Sequence, residues 1–149
     1  MTATSHGMNG LGDIEFPAPK IKPVDEPAAE VIQRSVCGSP GEVSIIAVGP
    51  LTNVATALQA YPWLAEQIRE IVLMGGSLSG GNMTPAAEFN IYVDPEGASV
   101  VFRSGVPVTM VGLDVTRKCI LTENHVKGLE ARRAAPRSAT RRADRPQRP

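Results

Sequence analysis

Three polar side chains fall within nine residues of a glycine-rich stretch: Asn82, Glu88 and Asn90. The apolar run from Ile71 to Met74 precedes the glycines, and this pattern predicts a short buried strand that ends in a loop. Glu88 and Asn90 stand two residues apart, so an extended backbone would direct both side chains to the same side. A carboxylate accepts hydroxyl hydrogen bonds and an amide both donates and accepts, which suits a polyhydroxylated ligand such as a sugar. The alternative is that these side chains cap turns or face solvent.

The segments around this loop alternate between strand and helix patterns. Short apolar, β-branched runs predict strands at residues 43–48, 71–74 and 106–111. Helical patterns span residues 25–37, 52–60, 62–70, 94–104 and 123–133. This alternation predicts parallel βαβ units and an α/β layered fold, in which ligands bind beyond the carboxyl ends of the strands.

Several polar residues stand where predicted helices begin. Asp25 and Asp94 each precede a proline that fits the first turn, so both are predicted N-caps. Thr52 or Asn53 is the predicted N-cap of the next helix. Asp114 follows the third strand and could either cap a helix or reach the crevice, and the sequence leaves both open.

Composition fits one soluble domain. The chain has 149 residues, of which 42% are hydrophobic and 20% charged, and its formal net charge is zero. The first ten residues lack a basic start with an apolar region, and no apolar run reaches the ~18 residues of a membrane span, so we expect a cytoplasmic protein without a membrane partner. Cys37 and Cys119 stand without a second cysteine or histidine at ligand spacing, and both are predicted to be reduced and buried.

Charge divides the chain at residue 130. Residues 131–149 hold seven arginines and one aspartate, a net +6, whereas residues 1–130 carry −6. The tail contains no aliphatic residue larger than alanine and is predicted to be disordered. One interpretation is an α/β interaction module with a basic nucleic-acid-binding tail. The other, which we expect, is read-through in a shifted frame of a GC-rich gene, in which case nucleic acid is not a partner.

Four segments together resemble one enzyme family, the inosine/uridine-preferring nucleoside hydrolases. They are Val48-Gly-Pro-Leu-Thr-Asn53, the run from Gly75 to Glu96 that contains Gly-Gly-Asn-Met-Thr-Pro-Ala-Ala-Glu-Phe-Asn, Val111-Gly-Leu-Asp-Val-Thr116, and His6-Gly-Met-Asn-Gly-Leu-Gly-Asp13. The similarity covers residues 4 to about 130. It implies a three-layer α/β sandwich around a mostly parallel sheet, and hydrolysis of purine or pyrimidine ribonucleosides to base and ribose.

The resemblance also implies roles for particular positions. By this similarity the matching threonine, Thr52, offers its backbone carbonyl to a calcium ion, although Thr52 as a plain N-cap fits the sequence equally well. His6 matches a loop residue that reaches the nucleoside, whereas without the resemblance it reads as a surface histidine. The positions that match substrate-binding residues are His6, Met74, Asn82, Glu88 and Asn90.

Two family elements are missing from this sequence. The aspartate cluster of the form DxDxxxDD, which supplies most metal ligands and the general base, has no match, because no two aspartates in residues 1–130 lie within eight positions. The late His-Asp pair is also absent. We therefore expect an incomplete, central portion of a nucleoside hydrolase with little independent activity and doubtful calcium binding, and we assign no catalytic residue. The expected partner is a ribonucleoside or ribose, and homo-oligomerisation stays open.

Overall fold

A computed structural model describes residues 6–134 of the chain. In chain order the elements are α1 (Ala28–Cys37), β1 (Ser44–Ala47), α2 (Thr52–Ala60), a 3₁₀ helix (Pro62–Glu66), β2 (Glu70–Met74), α3 (Phe89–Val93), α4 (Pro95–Arg103), β3 (Val108–Val111), α5 (Leu113–Thr116) and α6 (Glu123–Ala134). Strands alternate with helices, as the sequence pattern predicts.

The three strands form one parallel sheet in the order β1-β2-β3. Ile45 pairs with Ile71, and Ile71 pairs with Val108, so corresponding residues of the three strands stand in one row. The predicted α/β class with a parallel sheet is confirmed. Because all strands run in the same direction, their carboxyl ends lie at one edge, where β2 enters the glycine-rich segment and β3 enters α5.

The core lies between one face of this sheet and the helices α1, α2 and α4. Ile71 and Leu73 alternate along β2 and are 0% and 1% exposed, which places both on the core face. Helix α2 packs against both α1 and α4. The other buried apolar residues of this cluster are Val36, Leu51, Val54, Ala55, Ala57, Leu58, Leu64, Ile68, Ala98, Val101 and Val106.

The opposite face of β1 is exposed in the described part of the chain. Ile46 lies between the core-facing residues Ile45 and Ala47 and is 72% exposed. Val48, just beyond the strand, is 76% exposed. These apolar side chains therefore contribute little to the core that holds the sheet to its helices.

The helix starts agree with the sequence only in part. Asp94 is confirmed as the N-cap of α4, since its Oδ1 accepts a hydrogen bond from Gly97 N at 2.8 Å and a proline follows. The prediction for Asp25 is wrong, because α1 begins after Pro27 without a side-chain cap. Thr52 and Asn53 do not cap α2 either. Thr52 is its first helical residue, and its hydroxyl donates to Asp94 instead.

Other expectations concern the 3₁₀ helix, the cysteines and the tail. The predicted helix at 62–70 is a 3₁₀ helix that ends at Glu66. Cys37 is half-buried, but Cys119 is exposed, which contradicts its predicted burial because the segment before α6 lies outside the core. The predicted tail begins inside α6, and its remainder from residue 135 lies outside the described residues. Between residues 6 and 134, no helix is long and apolar enough to cross a membrane.

Candidate functional site

Glu88 joins the end of β2 to the start of α3. Its side chain is 3% exposed, and its Oε2 accepts hydrogen bonds from Gly76 N at 3.0 Å and from Ile91 N at 3.1 Å. The bond from Ile91 is the N-cap of α3. The bond from Gly76 fixes the first turn after β2, where Gly76 has a φ of +71° that a side chain would strain. One carboxylate oxygen thus holds two backbone segments together.

Asn90 makes the second link between α3 and β2. It is 8% exposed, and its Nδ2 donates to the carbonyl oxygen of Met74 at 2.9 Å and lies 3.3 Å from the Met74 sulfur. Met74 is the last residue of β2. The amide therefore satisfies a backbone carbonyl group at the carboxyl end of the strand.

Asn82 forms the third link, from the exposed side of the same segment. Its Oδ1 accepts a hydrogen bond from Phe89 N at 2.8 Å, and its own backbone N donates to Ala87 O at 3.1 Å. Phe89 N is one of the free N–H groups at the start of α3, so this side chain helps to satisfy the helix end. We call residues 75–82, which lead from β2 to Asn82, the glycine loop.

The local backbone differs from the expected one. The sequence spacing predicts an extended segment from Glu88 to Asn90, but Asn90 lies in the first turn of α3. The reason is the capping bond of Glu88, which starts a helix where side-chain alternation would need a strand. The two side chains still meet at the end of β2, because each bonds a backbone group there.

In Asn82, Glu88 and Asn90, only one of the two polar side-chain atoms takes part in these hydrogen bonds. Among the hydrogen bonds of residues 6–134, none engages Glu88 Oε1, Asn90 Oδ1 or Asn82 Nδ2. The remaining atoms comprise two acceptors and one donor, held by anchored side chains. Such a set can bind the hydroxyl groups of a sugar, each of which both donates and accepts.

Thr52 lies at the start of α2, apart from this network. Its hydroxyl donates to Asp94 Oδ2, and its carbonyl oxygen accepts from Thr56 Oγ1 at 2.7 Å. The bond from Thr52 is the main cause that lowers the pKa of Asp94 below its ordinary value, and the bond from Gly97 N adds to it. This region thus ties α2 to α4.

The described residues around Thr52 do not fit a calcium ion. A calcium site takes ~6–8 oxygen ligands, several of them from carboxylates. Residues 6–134 contain no group of three or more His, Cys, Asp or Glu side chains that could hold a metal. Asp94 is the carboxylate bonded to Thr52, and both of its oxygens already accept hydrogen bonds, from Thr52 and Gly97. We therefore derive no step through calcium.

His6 is exposed and directly precedes the turns of residues 8–13. Its backbone carbonyl accepts from Gly12 N at 2.7 Å, and the neighbouring bonds of Asn9 and Asp13 also stay within this segment. Within residues 6–134, no hydrogen bond joins the His6 side chain to the glycine loop. The structure thus brings together Met74, Asn82, Glu88 and Asn90 but leaves His6 outside, so its role stays a prediction.

Asp114 in α5 and Arg117, which directly follows α5, contact the glycine loop as well. Asp114 accepts hydrogen bonds from Leu78 N at 3.1 Å and from Ser79 Oγ at 3.0 Å, so its side chain reaches the glycine loop and does not cap α5, whose N-cap is Gly112. Arg117 donates from Nη2 to Gly81 O at 2.9 Å. The position of Asp114 after a strand allows such a contact but also allows a helix cap, so the sequence does not assign it to the site. Nothing in the sequence pattern singled out Arg117, because its contact spans 36 residues.

Comparison with known proteins gives the family. The chain matches the family described as inosine-uridine preferring nucleoside hydrolase over residues 1–145. This chain belongs to that family. It is 48% identical over 129 residues to the pyrimidine-specific ribonucleoside hydrolase RihA of Escherichia coli (strain SMS-3-5 / SECEC), a match that covers 87% of this chain and 40% of the relative. It is 50% identical over 119 residues to the probable uridine nucleosidase 1 of Oryza sativa subsp. japonica, covering 79% and 37%.

Solved structures of nucleoside hydrolases share the fold. The purine-preferring ribonucleoside hydrolase from Gardnerella vaginalis superimposes with a TM-score of 0.83 at 42% sequence identity. That match covers 87% of this chain and 41% of the other. This chain therefore spans about 40% of the length of the curated relatives that it matches. The parallel sheet and its helices belong to the shared portion.

Proposed function

We propose that this chain binds the ribose of a ribonucleoside at the end of β2, through Asn82, Glu88 and Asn90. The observation that carries the proposal is that each side chain is anchored through one polar atom while a second polar atom is not engaged among the described residues. The named relatives supply the substrate class, since all of them act on ribonucleosides. Their names include both pyrimidine-specific and purine-preferring enzymes, so the proposal specifies the sugar and not the base.

The proposed contribution to N-glycoside hydrolysis is binding and orientation of the sugar. The reaction passes through an oxocarbenium-like transition state, which needs an activated water as well as groups that fix the ribose hydroxyls. Binding that is equal in ground and transition states does not raise the chemical rate. Glu88 Oε2 is engaged by two backbone N–H groups, and His6 has no orienting partner among residues 6–134. We therefore expect slow hydrolysis at best by this chain alone.

Ligand binding is tested with ribose, inosine and uridine by NMR titration of the 149-residue chain. We expect saturable shifts in the glycine loop and in α3, and a weaker affinity by about fivefold or more for Asn82→Ala, because one hydrogen bond contributes ~1 kcal/mol. Asn124→Ala is the matched control, since Asn124 is an exposed asparagine on α6. Absence of saturable binding, or equal losses in both variants, would refute the proposal.

Turnover is tested by release of base from inosine and uridine over hours, with and without added calcium. We expect little or no release by the purified chain. Calcium-dependent release that Asn82→Ala abolishes would contradict this, and would mean that other residues or a second copy complete the site. Cytoplasmic location and self-association are separate predictions, which this assay does not test.

A further inference from the structure

The glycine loop is joined to the segment that follows β3 by backbone hydrogen bonds at its beginning. Gly75 N donates to Val111 O at 3.2 Å, and Leu113 N donates to Gly76 O at 3.0 Å. These two bonds continue the pairing of β2 and β3 past the ends of the strands. The first two residues of the loop, Gly75 and Gly76, are therefore held by the sheet itself, whereas residues 77–82 depend on other contacts.

Apolar packing does not hold the remainder of the loop. From Ser77 to Asn82 no residue is buried, and the one large apolar side chain, Leu78, is 86% exposed. Gly80 has a φ of +87°, and glycine loses more conformational freedom on ordering than other residues. A loop of this kind keeps one conformation only if polar contacts offset the entropy of ordering it.

Asp114 and Arg117 supply such contacts. The Asp114 carboxylate accepts from Leu78 N at 3.1 Å, from Ser79 Oγ at 3.0 Å and from Ser77 Oγ at 3.3 Å. These bonds, chiefly the one from Leu78 N, hold the pKa of Asp114 below its ordinary value, so the side chain is charged at neutral pH. Charge-assisted hydrogen bonds are stronger than neutral ones.

The Arg117 contact lies next to the proposed ligand residue. Its guanidinium donates to the carbonyl of Gly81, which directly precedes Asn82. On its other side Asn82 is held by Phe89 N and Ala87 O. Asn82 thus stands between α3 and the end of α5, and its position depends on both.

We infer that Asp114 and Arg117 are positioning residues that fix the glycine loop and thereby hold Asn82 in place beside Glu88 and Asn90 for ribose binding. Neither is among the residues that we place on the ligand. Their effect passes through the loop backbone. The inference rests on the proposed function, because positioning has meaning only if the loop binds a ligand.

The first measurement needs no ligand. Amide hydrogen exchange across residues 77–82 is compared for the wild type, Asp114→Asn and Arg117→Gln. Asp114→Asn keeps the shape and one acceptor but removes the charge. We expect exchange at Leu78 and Ser79 to be about tenfold faster in Asp114→Asn, with only a small decrease in melting temperature because the loop lies outside the core. The matched controls are Glu26→Gln and Arg34→Gln, which break a surface ion pair of 2.8 Å between the segment before α1 and the last turn of α1.

The second measurement separates positioning from a merely structural role. The dissociation constant for ribose is determined in a double-mutant cycle between Asp114→Asn and Asn82→Ala. If Asp114 acts through Asn82, its substitution weakens binding by about fivefold in the wild-type background, as expected for a hydrogen bond of ~1 kcal/mol, and has no further effect once Asn82 is alanine. Additive effects would overturn the inference, and so would faster exchange with an unchanged dissociation constant.

A second variant tests the positioning role of Asp114 if Asp114→Asn folds poorly. Ser77→Ala combined with Ser79→Ala removes two partners of Asp114 and leaves the carboxylate in place. It should reproduce the loss of affinity and of exchange protection. Failure of the wild type to bind ribose would refute the proposed function together with the positioning role. Binding by the wild type that is unaffected in all these variants would overturn the positioning role alone.

Discussion

At the scale of single residues, Glu88 unites a structural and a proposed binding role. A glutamate that is 3% exposed must have partners, and Glu88 has Gly76 N and Ile91 N on the same oxygen. Loss of this carboxylate would leave both N–H groups without their acceptor. Substitution of Glu88 is therefore expected to affect the stability of the fold more than its position after a glycine-rich loop suggests.

Glu88→Ala should therefore destabilise the fold as well as weaken ribose binding. We expect a loss of ~1–3 kcal/mol in the free energy of unfolding, because two backbone donors lose their acceptor in a buried place. Glu88→Gln keeps an oxygen that can accept these bonds and should lose less. Urea denaturation of both variants measures the difference, and equal stability of Glu88→Ala and the wild type would contradict it.

At the scale of elements, the glycine loop folds back on the segment before α3. Gly81 N donates to Pro85 O at 2.9 Å. A Cβ atom at Gly81 would overlap the carbonyl groups of Ala87 and Thr84. Because these are backbone atoms, they cannot move aside as a flexible side chain would. The conformation that presents Asn82 requires glycine at position 81.

Gly81→Ala should open the loop and abolish saturable ribose binding at accessible concentrations, while the sheet and its core remain folded. Gly128→Ala is the matched control, since an added Cβ there meets no atom within 4 Å and lies on α6. That control should leave binding unchanged and favour the helix by ~0.5–1 kcal/mol. Circular dichroism and NMR titration measure both effects. A Gly81→Ala variant that binds like the wild type would show that the overlap is relieved without loss of the site.

At the scale of the whole molecule, the sheet is held to its helices by one face. Ile71 on the central strand is fully buried, whereas Ile46 on the edge strand is 72% exposed. We expect Ile71→Ala to cost ~2–5 kcal/mol, because it leaves a cavity in the core. Ile46→Ala removes the same atoms from an exposed side chain and should change stability by less than ~0.5 kcal/mol. Thermal melts of the pair test this, and similar losses in both would mean that Ile46 is also covered.

Acid should destabilise the molecule below the ordinary carboxylate pKa. The hydrogen bond from Thr52 is the main cause that lowers the pKa of Asp94 below its ordinary value of 3.8. The hydrogen bond from Leu78 N does the same for the pKa of Asp114. The unfolded chain then binds more protons than the folded one in that range, so the stabilisation is present above pH ~4 and is lost as the pH falls through the folded values. Urea midpoints from pH 7 to pH 3 measure the decline.

The double variant Asp94→Asn with Asp114→Asn isolates these two carboxylates. It should show a flatter dependence of stability on pH between 4 and 3 than the wild type, since amides do not titrate there. An unchanged dependence would assign the acid sensitivity to other groups, such as Glu26, whose pKa Arg34 lowers by a hydrogen bond.

The sequence by itself determined the order of the strands and of the longer helices and the α/β class, because apolar runs, glycines and the Asp94 cap are local signals; the short helices α3 and α5 were not among its predictions. It also indicated the family, through four motifs that are each a short run of consecutive residues. Only the tertiary structure decided how the polar residues are used: Asn90 turns to the Met74 carbonyl, Thr52 turns from its own helix to Asp94, and Asp114 and Arg117 reach back to the glycine loop. These contacts join residues 16 to 42 positions apart. A hydrogen bond of that kind depends on which elements the sheet brings side by side, and no pattern within one segment specifies its partner.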